Sequence, residues 1–269
     1  MLNDLLILVG CAFATVLAVR LLVIRGIERI GESWGFSSKK KGQIIGYATS
    51  TPEFVVLVAA AFAGVFEAGF WNIASSNIIN VVLFLSAVLV YRQQVELFSL
   101  RFLDELGFGV CSIAIPLVLF QRGTPLEWPV ALGLLAVFIV YKAGDHLLNR
   151  KSGEESASAT VKGNLPLGVI YLILGLAVII VAGRYLGDSA GALVTEAGVP
   201  TWLVGWLLGA ITSVPELASF FEIFRLSKKR GQLAMKEDMQ QALDALVASN
   251  MCNLGVILAV GILVFTVFG

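Results

Sequence analysis

Charged residues, cysteines and histidines are scarce in this 269-residue sequence. Only 14% of the residues are charged, whereas a soluble domain has about 25%. Each of the three cysteines, Cys11, Cys111 and Cys252, stands alone in an apolar stretch, so neither a disulfide framework nor a zinc site is predicted. The net charge is +0 and the basic residues form only short clusters, which argues against binding to nucleic acid. These scarcities exclude an ordinary soluble enzyme, a secreted disulfide-rich scaffold and a nucleic-acid-binding domain.

Long apolar stretches occupy most of the chain. Hydrophobic residues make up 58% of the sequence, and the mean hydropathy is +0.88. A helix needs about 20 apolar residues to cross a bilayer. The first stretch has no basic region before it and no cleavage site, so we expect it to span the membrane. We predict an all-α integral membrane protein with about eight transmembrane helices, at 2–24, 42–66, 70–90, 103–120, 127–145, 165–184, 201–225 and 242–268.

The basic residues predict the orientation of these helices. All but two of the 19 Lys and Arg residues fall on one side of the predicted spans, and the exceptions are Arg122 and Arg184. Loops rich in Lys and Arg remain in the cytoplasm. We therefore expect a multi-pass protein of the cell membrane (plasma or inner membrane) with both termini outside. The polar segment 147–164 is then a cytoplasmic linker.

Two polar motifs each occur twice. Residues 46–53 read Gly-Tyr-Ala-Thr-Ser-Thr-Pro-Glu and residues 209–216 read Gly-Ala-Ile-Thr-Ser-Val-Pro-Glu, identical at five of eight positions with an offset of 163. In the next span of each half, Ser-Asn-Ile-Ile-Asn at 76–80 matches Ser-Asn-Met-Cys-Asn at 249–253, with an offset of 173. Matched interruptions in two hydrophobic halves are typical of duplicated transporters.

The two copies should be inverted relative to the membrane, because five spans separate the first motif helix from the second. Inverted repeats bring their motifs together near the midplane. Glu53 and Glu216, each about halfway along its span, should therefore lie at similar depth and can approach one another. We assign helices 1–5 to a first repeat and helices 6–8 to a second, shortened repeat, at residues 1–146 and 165–269.

A glutamate at the bilayer centre needs a compensating charge. Its insertion costs about 2.5–3.5 kcal/mol, and two converging carboxylates repel each other unless cations or protons occupy the site. No Lys or Arg lies in the middle of any predicted span, so pairing with a buried basic residue is disfavoured. A carboxylate pair that one Ca²⁺, monovalent cations or protons can neutralise has the chemistry of an exchanger.

Proline and small polar residues surround each glutamate. Pro52 and Pro215 each remove one helical hydrogen bond, so the carbonyl groups around Thr49 and Thr212 can turn towards a cation. Ser50 and Thr49 lie three and four residues before Glu53 and share its helix face. In the next span of each half, the serine and the second asparagine of the motif are four residues apart and share a face as well. Such oxygen ligands suit hard cations, although each of them alone could equally serve helix packing.

The duplicated Thr-Ser-x-Pro-Glu and Ser-Asn-x-x-Asn motifs resemble the two alpha repeats of the sodium/calcium exchanger family, within the calcium/cation antiporter superfamily. The resemblance covers the core of both halves, at 42–90 and 201–266. It implies that the two glutamates bind Ca²⁺ and Na⁺ alternately, and that the long first and sixth helices slide to alternate access. Inorganic cations and the lipid bilayer are then the expected partners, and no cofactor is expected. By motif match the resemblance implies a cation site formed by Glu53, Glu216, Thr49, Thr212, Ser50, Ser213, Ser76, Ser249, Asn80 and Asn253.

The sequence departs from the family pattern in three respects. Members usually have ten helices, five in each repeat, so the counterparts of helices 4 and 5 are missing here, and a homodimer is one way to complete the second half. Asn80 and Asn253 are both amides, whereas some members carry Asp at one of these positions, which leaves a formal site charge of minus two. Asn72 in the first half stands opposite Ala245 in the second.

We therefore predict a secondary active antiporter, not an enzyme, that exchanges Ca²⁺ for Na⁺. The alternative is a cation/proton (Ca²⁺/H⁺) antiporter in which the glutamates themselves take protons, and a third interpretation is a degenerate relative that does not transport. An intramembrane enzyme is disfavoured because the sequence contains no Gly-x-Ser-x-Gly or His-Glu-x-x-His motif and no paired catalytic aspartates. The ion dependence of transport separates the first two interpretations.

Overall fold

Helices form all the regular structure in the residues that the computed structural model describes, which are 2–97, 102–148, 164–230 and 234–268. Helices suit apolar spans because they satisfy every backbone polar group internally. The helices are α1 (Leu2–Ala18), α2 (Ile24–Trp34), α3 (Ser38–Thr49), α4 (Thr51–Phe62), α5 (Phe66–Val90), α6 (Gln94–Leu97), α7 (Leu103–Gln121), α8 (Trp128–Leu148), α9 (Leu165–Thr195), α10 (Thr201–Thr212), α11 (Val214–Arg230), α12 (Ala234–Cys252) and α13 (Leu258–Phe268). Two π-helical turns, Val19–Val23 and Asn253–Ile257, join α1 to α2 and α12 to α13.

Eight helical segments of the described chain are long and apolar enough to cross a membrane, which confirms the predicted all-α architecture and number of spans. The second and seventh spans each contain two helices, α3 with α4 and α10 with α11. Of the predicted linker 147–164, the first two residues belong to α8, and residues 149–163 lie outside the described residues. The spans are Val9–Trp34, Ser38–Phe62, Phe66–Val90, Leu103–Gln121, Trp128–Leu147, Leu165–Thr195, Thr201–Arg225 and Glu237–Phe268.

The two halves of the chain pack crosswise at the centre of the bundle. Helix α3 of the first half lies along α12, and α10 of the second half lies along α5. The glycine that opens each motif permits this approach. A side chain on Gly46 would collide with the carbonyl of Ala245, and one on Gly209 would collide with Ser75. Each Thr-Ser-x-Pro-Glu helix therefore lies against the Ser-Asn-x-x-Asn helix of the other half.

The first and sixth spans lie side by side. Helix α9 contacts α1, α2 and α4. Gly26 of α2 faces the backbone of Gly168, and Gly187 of α9 faces the side chain of Ala59 in α4. None of these glycines has room for a larger residue. Small residues therefore give α9 close contact with both the first and the second span.

A cluster of charged side chains joins four spans at one end of the bundle, which we call the lysine end. Lys39, in the first turn of α3, forms an ion pair with Asp145 of α8. Its Nζ lies 3.3 Å from Glu105 Oε1 of α7 and 3.7 Å from Asp244 Oδ1 of α12. Gln240 donates to Glu105 Oε1 at 3.1 Å and to Asp244 Oδ2 at 2.6 Å. One lysine thus neutralises part of the charge of three carboxylates and ties α3 to the spans around it.

Candidate cation-binding site

Both motif helices are interrupted beside the glutamates. Helix α3 ends at Thr49 before α4 begins, and α10 ends at Thr212 before α11 begins. Pro52 and Pro215 follow these ends, and proline has no N–H to continue the helical ladder. Among the described backbone hydrogen bonds that cross the two breaks, none reaches the carbonyl of Thr49 or Thr212. These two carbonyl oxygens are therefore available as ligands.

Every side chain of the predicted site is buried. All ten residues are 1% exposed or less. The two halves of the chain supply five each, from the two interrupted spans and from the two spans that carry the Ser-Asn-x-x-Asn motif. The site consequently lies inside the bundle and away from the lipid-facing surface.

Neither glutamate has a basic partner among the described residues. Glu53 is 0% exposed and Glu216 is 1% exposed, and no ion pair in this part of the chain includes either of them. Two carboxylates in one buried site repel each other when both are ionised. Within the described part of the chain, both oxygens of Glu53 and Oε2 of Glu216 lack a hydrogen-bond partner. Buried carboxylates in this state are costly unless a cation or a proton neutralises them.

Two pairs of hydroxyl groups connect the halves next to the carboxylates. Ser50 Oγ lies 2.8 Å from Ser249 Oγ, and Thr212 Oγ1 lies 3.2 Å from Ser76 Oγ. Ser249 Oγ also donates to Glu216 Oε1 at 3.1 Å. Each pair joins a motif helix of one half to the facing helix of the other, so four of the six predicted hydroxyl groups meet across the bundle. Thr49 instead donates to Gly46 O of its own helix, and Ser213 Oγ has no partner among the described residues.

Four asparagines form a matched set of hydrogen bonds. Asn80 Nδ2 donates to Asn250 Oδ1 at 3.0 Å, and Asn253 Nδ2 donates to Asn77 Oδ1 at 3.1 Å. These bonds fix the amide orientations, so that Asn80 Oδ1 and Asn253 Oδ1 are left buried, with no partner among the described residues. Asn77 and Asn250 were not predicted as site residues from the sequence. Their recurrence within the duplicated motif was the signal that could have found them.

The site therefore contains a group of buried oxygen atoms that no described donor satisfies. A buried acceptor without a partner costs about 1–3 kcal/mol, and more when it is charged. Calcium binds 6–8 oxygen ligands, including carboxylate and amide oxygens. Two carboxylates plus neutral oxygens from both halves make a donor set that suits a hard cation. The unsatisfied atoms are Glu53 Oε1 and Oε2, Glu216 Oε2, Asn80 Oδ1, Asn253 Oδ1 and Ser213 Oγ.

Family comparison agrees with this architecture. The family model described as "Sodium/calcium exchanger protein" matches residues 4–143 and 167–268. The chain belongs to this family. The resemblance inferred from the repeated motifs is thereby confirmed, and the protein is placed among cation antiporters, not in a catalytic enzyme family.

Individual relatives share a low sequence identity with this chain. The "Putative antiporter CaxA" of Alkalimonas amylolytica is 25% identical over 231 residues, which cover 82% of this chain and 68% of that protein. The solved structure of the H⁺/Ca²⁺ exchanger CAX is similar with a TM-score of 0.71 at 15% identity, covering 98% of this chain and 68% of that one. The sodium-calcium exchanger NCX_Mj is similar with a TM-score of 0.54 at 22% identity, covering 98% and 82%. The similarity to these two solved structures establishes the fold of this chain.

Proposed function

We propose that the chain is a secondary active antiporter that exchanges Ca²⁺ for Na⁺ at the site between Glu53 and Glu216. The observation that carries this proposal is the group of buried oxygens without donors, contributed by both halves of the chain. Amide and hydroxyl oxygens such as Asn80 Oδ1 and Ser213 Oγ can coordinate a metal ion. Protonation of the two carboxylates would leave these neutral acceptors without partners.

The charge of the site suggests the stoichiometry. Glu53 and Glu216 together carry two negative charges, and no other ionisable residue is among the ten proposed ligands. One Ca²⁺ or two Na⁺ neutralises this charge, whereas three Na⁺ would leave a buried positive charge that no protein group balances. We therefore infer exchange of two Na⁺ for one Ca²⁺, without net charge movement.

Exchange of Ca²⁺ for protons is the second candidate. Two protons would neutralise the same two carboxylates, and both oxygens of Glu53 lack a described donor, so either could accept a proton. The H⁺/Ca²⁺ exchanger CAX, whose solved structure shares this fold with a TM-score of 0.71, is consistent with this candidate. The coupling ion is therefore the first quantity to measure.

Topology and assembly complete the proposal. We infer that the protein lies in the cell membrane with both termini outside, so that the lysine end faces the cytoplasm. Alternating access then involves the first and sixth spans, which lie side by side. A homodimer is proposed as well, and a strictly monomeric protein that is active in liposomes would contradict it.

Transport into proteoliposomes tests the proposed function. Radiolabelled Ca²⁺ uptake is measured into vesicles loaded with Na⁺, with K⁺, or with an acidic buffer. Uptake that requires internal Na⁺ supports the proposal, uptake driven only by the acidic lumen supports proton coupling, and no uptake under any gradient supports a non-transporting relative. Glu53→Gln and Glu216→Gln should each abolish uptake. Glu127→Gln, at an exposed position between α7 and α8, is the matched control and should retain it.

A further inference from the structure

One buried side chain differs between the two halves of the site. The offset of 173 that aligns Ser76 with Ser249 places Asn72 of α5 opposite Ala245 of α12. Asn72 is 0% exposed, and its Oδ1 accepts a hydrogen bond from Thr212 Oγ1 at 3.1 Å. Ala245 offers no acceptor at the equivalent place. Asn72 is not among the predicted ligands, yet it contacts one of them.

This bond determines which groups receive the hydroxyl protons of Thr212 and Ser76. A hydroxyl group has one proton to donate, and Thr212 gives its proton to Asn72. Ser76 Oγ lies closer to Thr212 Oγ1, at 3.2 Å, than to the carbonyl oxygen of Gly209, at 3.5 Å, so Ser76 donates to Thr212. Ser76 and Thr212 thus form a chain of donors that ends at the Asn72 amide oxygen. Neither proton remains for Glu53.

The corresponding chain in the second half ends differently. Ser249 gives its proton to Glu216 Oε1 at 3.1 Å. Ser50 Oγ lies 2.8 Å from Ser249 Oγ and 3.0 Å from the carbonyl oxygen of Gly46, so its shorter contact is the one with Ser249, to which Ser50 donates. Ser50 and Ser249 therefore form a chain of donors that ends at a carboxylate. Glu216 keeps one hydroxyl donor, whereas both oxygens of Glu53 have none among the described residues.

We infer that Asn72 is a positioning residue that makes the two glutamates non-equivalent. By accepting from Thr212, it directs the Ser76 and Thr212 hydroxyl protons away from Glu53, so that Glu53 presents both oxygens to the cation. Without Asn72, these hydroxyl groups would be free to donate to Glu53 and compete with the ion. This inference rests on the proposed cation site, and it assigns Glu53 as the carboxylate that binds the ion with two oxygens.

Calcium binding to the purified full-length protein tests the inference. The dissociation constant for Ca²⁺ is measured by isothermal titration calorimetry in detergent for the wild type, Asn72→Ala, Thr212→Val and the double variant. Asn72→Ala copies the residue of the second half, and Thr212→Val removes the hydroxyl while it keeps the backbone carbonyl and the side-chain shape. Each single change should weaken Ca²⁺ binding about tenfold, because Asn72→Ala frees the Thr212 proton and Thr212→Val frees the Ser76 proton to donate to Glu53 in competition with the ion.

Non-additivity separates positioning from general damage to the structure. If Asn72 acts through the Thr212 hydroxyl, the double variant should bind Ca²⁺ as the single variants do. Thr49→Val is the matched control, because Thr49 donates to Gly46 O of its own helix at 3.1 Å and has no asparagine partner. Its effect should add to that of Asn72→Ala. Thr212→Val carries the test alone if Asn72→Ala does not fold.

The possible results are distinct. Unchanged Ca²⁺ binding in both Asn72→Ala and Thr212→Val would overturn the inference and leave the proposed function intact, as would effects that add fully in the double variant. Absence of Ca²⁺ binding to the wild type would overturn the proposed Ca²⁺ site together with the inference. Weaker binding in both single variants, without further loss in the double variant, would support the assignment of Glu53.

Discussion

Asn77 Oδ1 accepts a hydrogen bond from Asn253 Nδ2 at 3.1 Å, so a residue outside the predicted ligand set orients one inside it. Asn77 also donates to Ser112 O of α7 at 3.0 Å. Its side chain therefore connects the site to the fourth span. Because the Nδ2 atom of Asn253 is used in this bond, its Oδ1 atom is the one that can face a cation.

We expect Asn77→Leu to slow Ca²⁺ uptake about tenfold or more, because Asn253 would lose the acceptor that fixes its amide. The measurement is the initial rate of radiolabelled Ca²⁺ uptake into proteoliposomes that contain equal amounts of folded protein. The control is Asn164→Ala, since Asn164 only caps the first turn of α9, where it accepts from Leu167 N–H at 3.2 Å. Equal rates for Asn77→Leu and Asn164→Ala would show that Asn77 does not position the site.

A second prediction concerns the stability of the ion-free protein. Glu53→Gln removes one of two buried carboxylates that form no ion pair with any described residue. We therefore expect this variant to melt at a higher temperature than the wild type in the presence of a chelator, because the substitution removes the cost of burying an uncompensated charge. It should also lose the stabilisation that Ca²⁺ gives the wild type, which is about 2.7 kcal/mol at one hundred times the dissociation constant.

Melting temperatures in detergent, with chelator and with increasing Ca²⁺, check this prediction. Glu127→Gln serves again as the control and should follow the wild type under both conditions. A Glu53→Gln protein that melts lower than the wild type in chelator would mean that the carboxylate has a compensating partner. A variant that retains the full Ca²⁺-dependent shift would place the ion elsewhere.

The crosswise packing of the two halves gives a third prediction. Gly46→Ala places a methyl group against the backbone of Ala245 and should cost about 1–3 kcal/mol, the usual effect of overpacking. Gly133→Ala in α8 meets nothing within 4 Å and should be neutral or stabilise by about 0.5–1 kcal/mol, because glycine weakens a helix interior. Thermal unfolding of the two variants in the same detergent measures the difference. If both variants melt alike, α3 and α12 do not approach as closely as the structure indicates.

The sequence allowed the spans and the paired motifs to be predicted because both are local signals. Hydropathy marks each apolar stretch, and identity at a fixed offset marks the duplication. The bonds of Asn77 and the acceptor role of Asn72 could not be predicted in the same way. Whether Asn72 meets Thr212, 140 residues away, depends on how α10 lies along α5. Periodicity places a residue on a face of its own helix and does not identify the atom that it meets.

The partners of Lys39 at the lysine end could not be predicted from the sequence either, and these contacts lead to a further prediction about stability. Lys39 reaches Asp145, Glu105 and Asp244 from three other spans, and these partners are 66 to 205 residues away in the sequence. Its side chain is 19% exposed and that of Asp244 is 2% exposed. Removal of Lys39 would leave the three carboxylates to repel each other in a nearly buried place, although Asp145 would keep a contact with Lys142, 3.9 Å away. Loss of one partner from a buried pair costs about 3–5 kcal/mol, and the partial exposure of Lys39 should reduce this figure.

We therefore expect Lys39→Met to lower the melting temperature more than Asp145→Asn, because the latter leaves Lys39 its contacts with Glu105 and Asp244. The double variant Lys39→Met/Asp145→Asn should recover part of the loss, since one of the three carboxylates that faced Lys39 is then neutral. Lys40→Met is the control, because Lys40 is exposed and its ammonium lies over the ring of Phe36, 4.0 Å from the centroid. Thermal unfolding at constant pH and salt gives the order of stability. If Lys39→Met melts no lower than Lys40→Met, Lys39 does not stabilise the cluster. The packing of α3 against α12 would then hold this end of the bundle together.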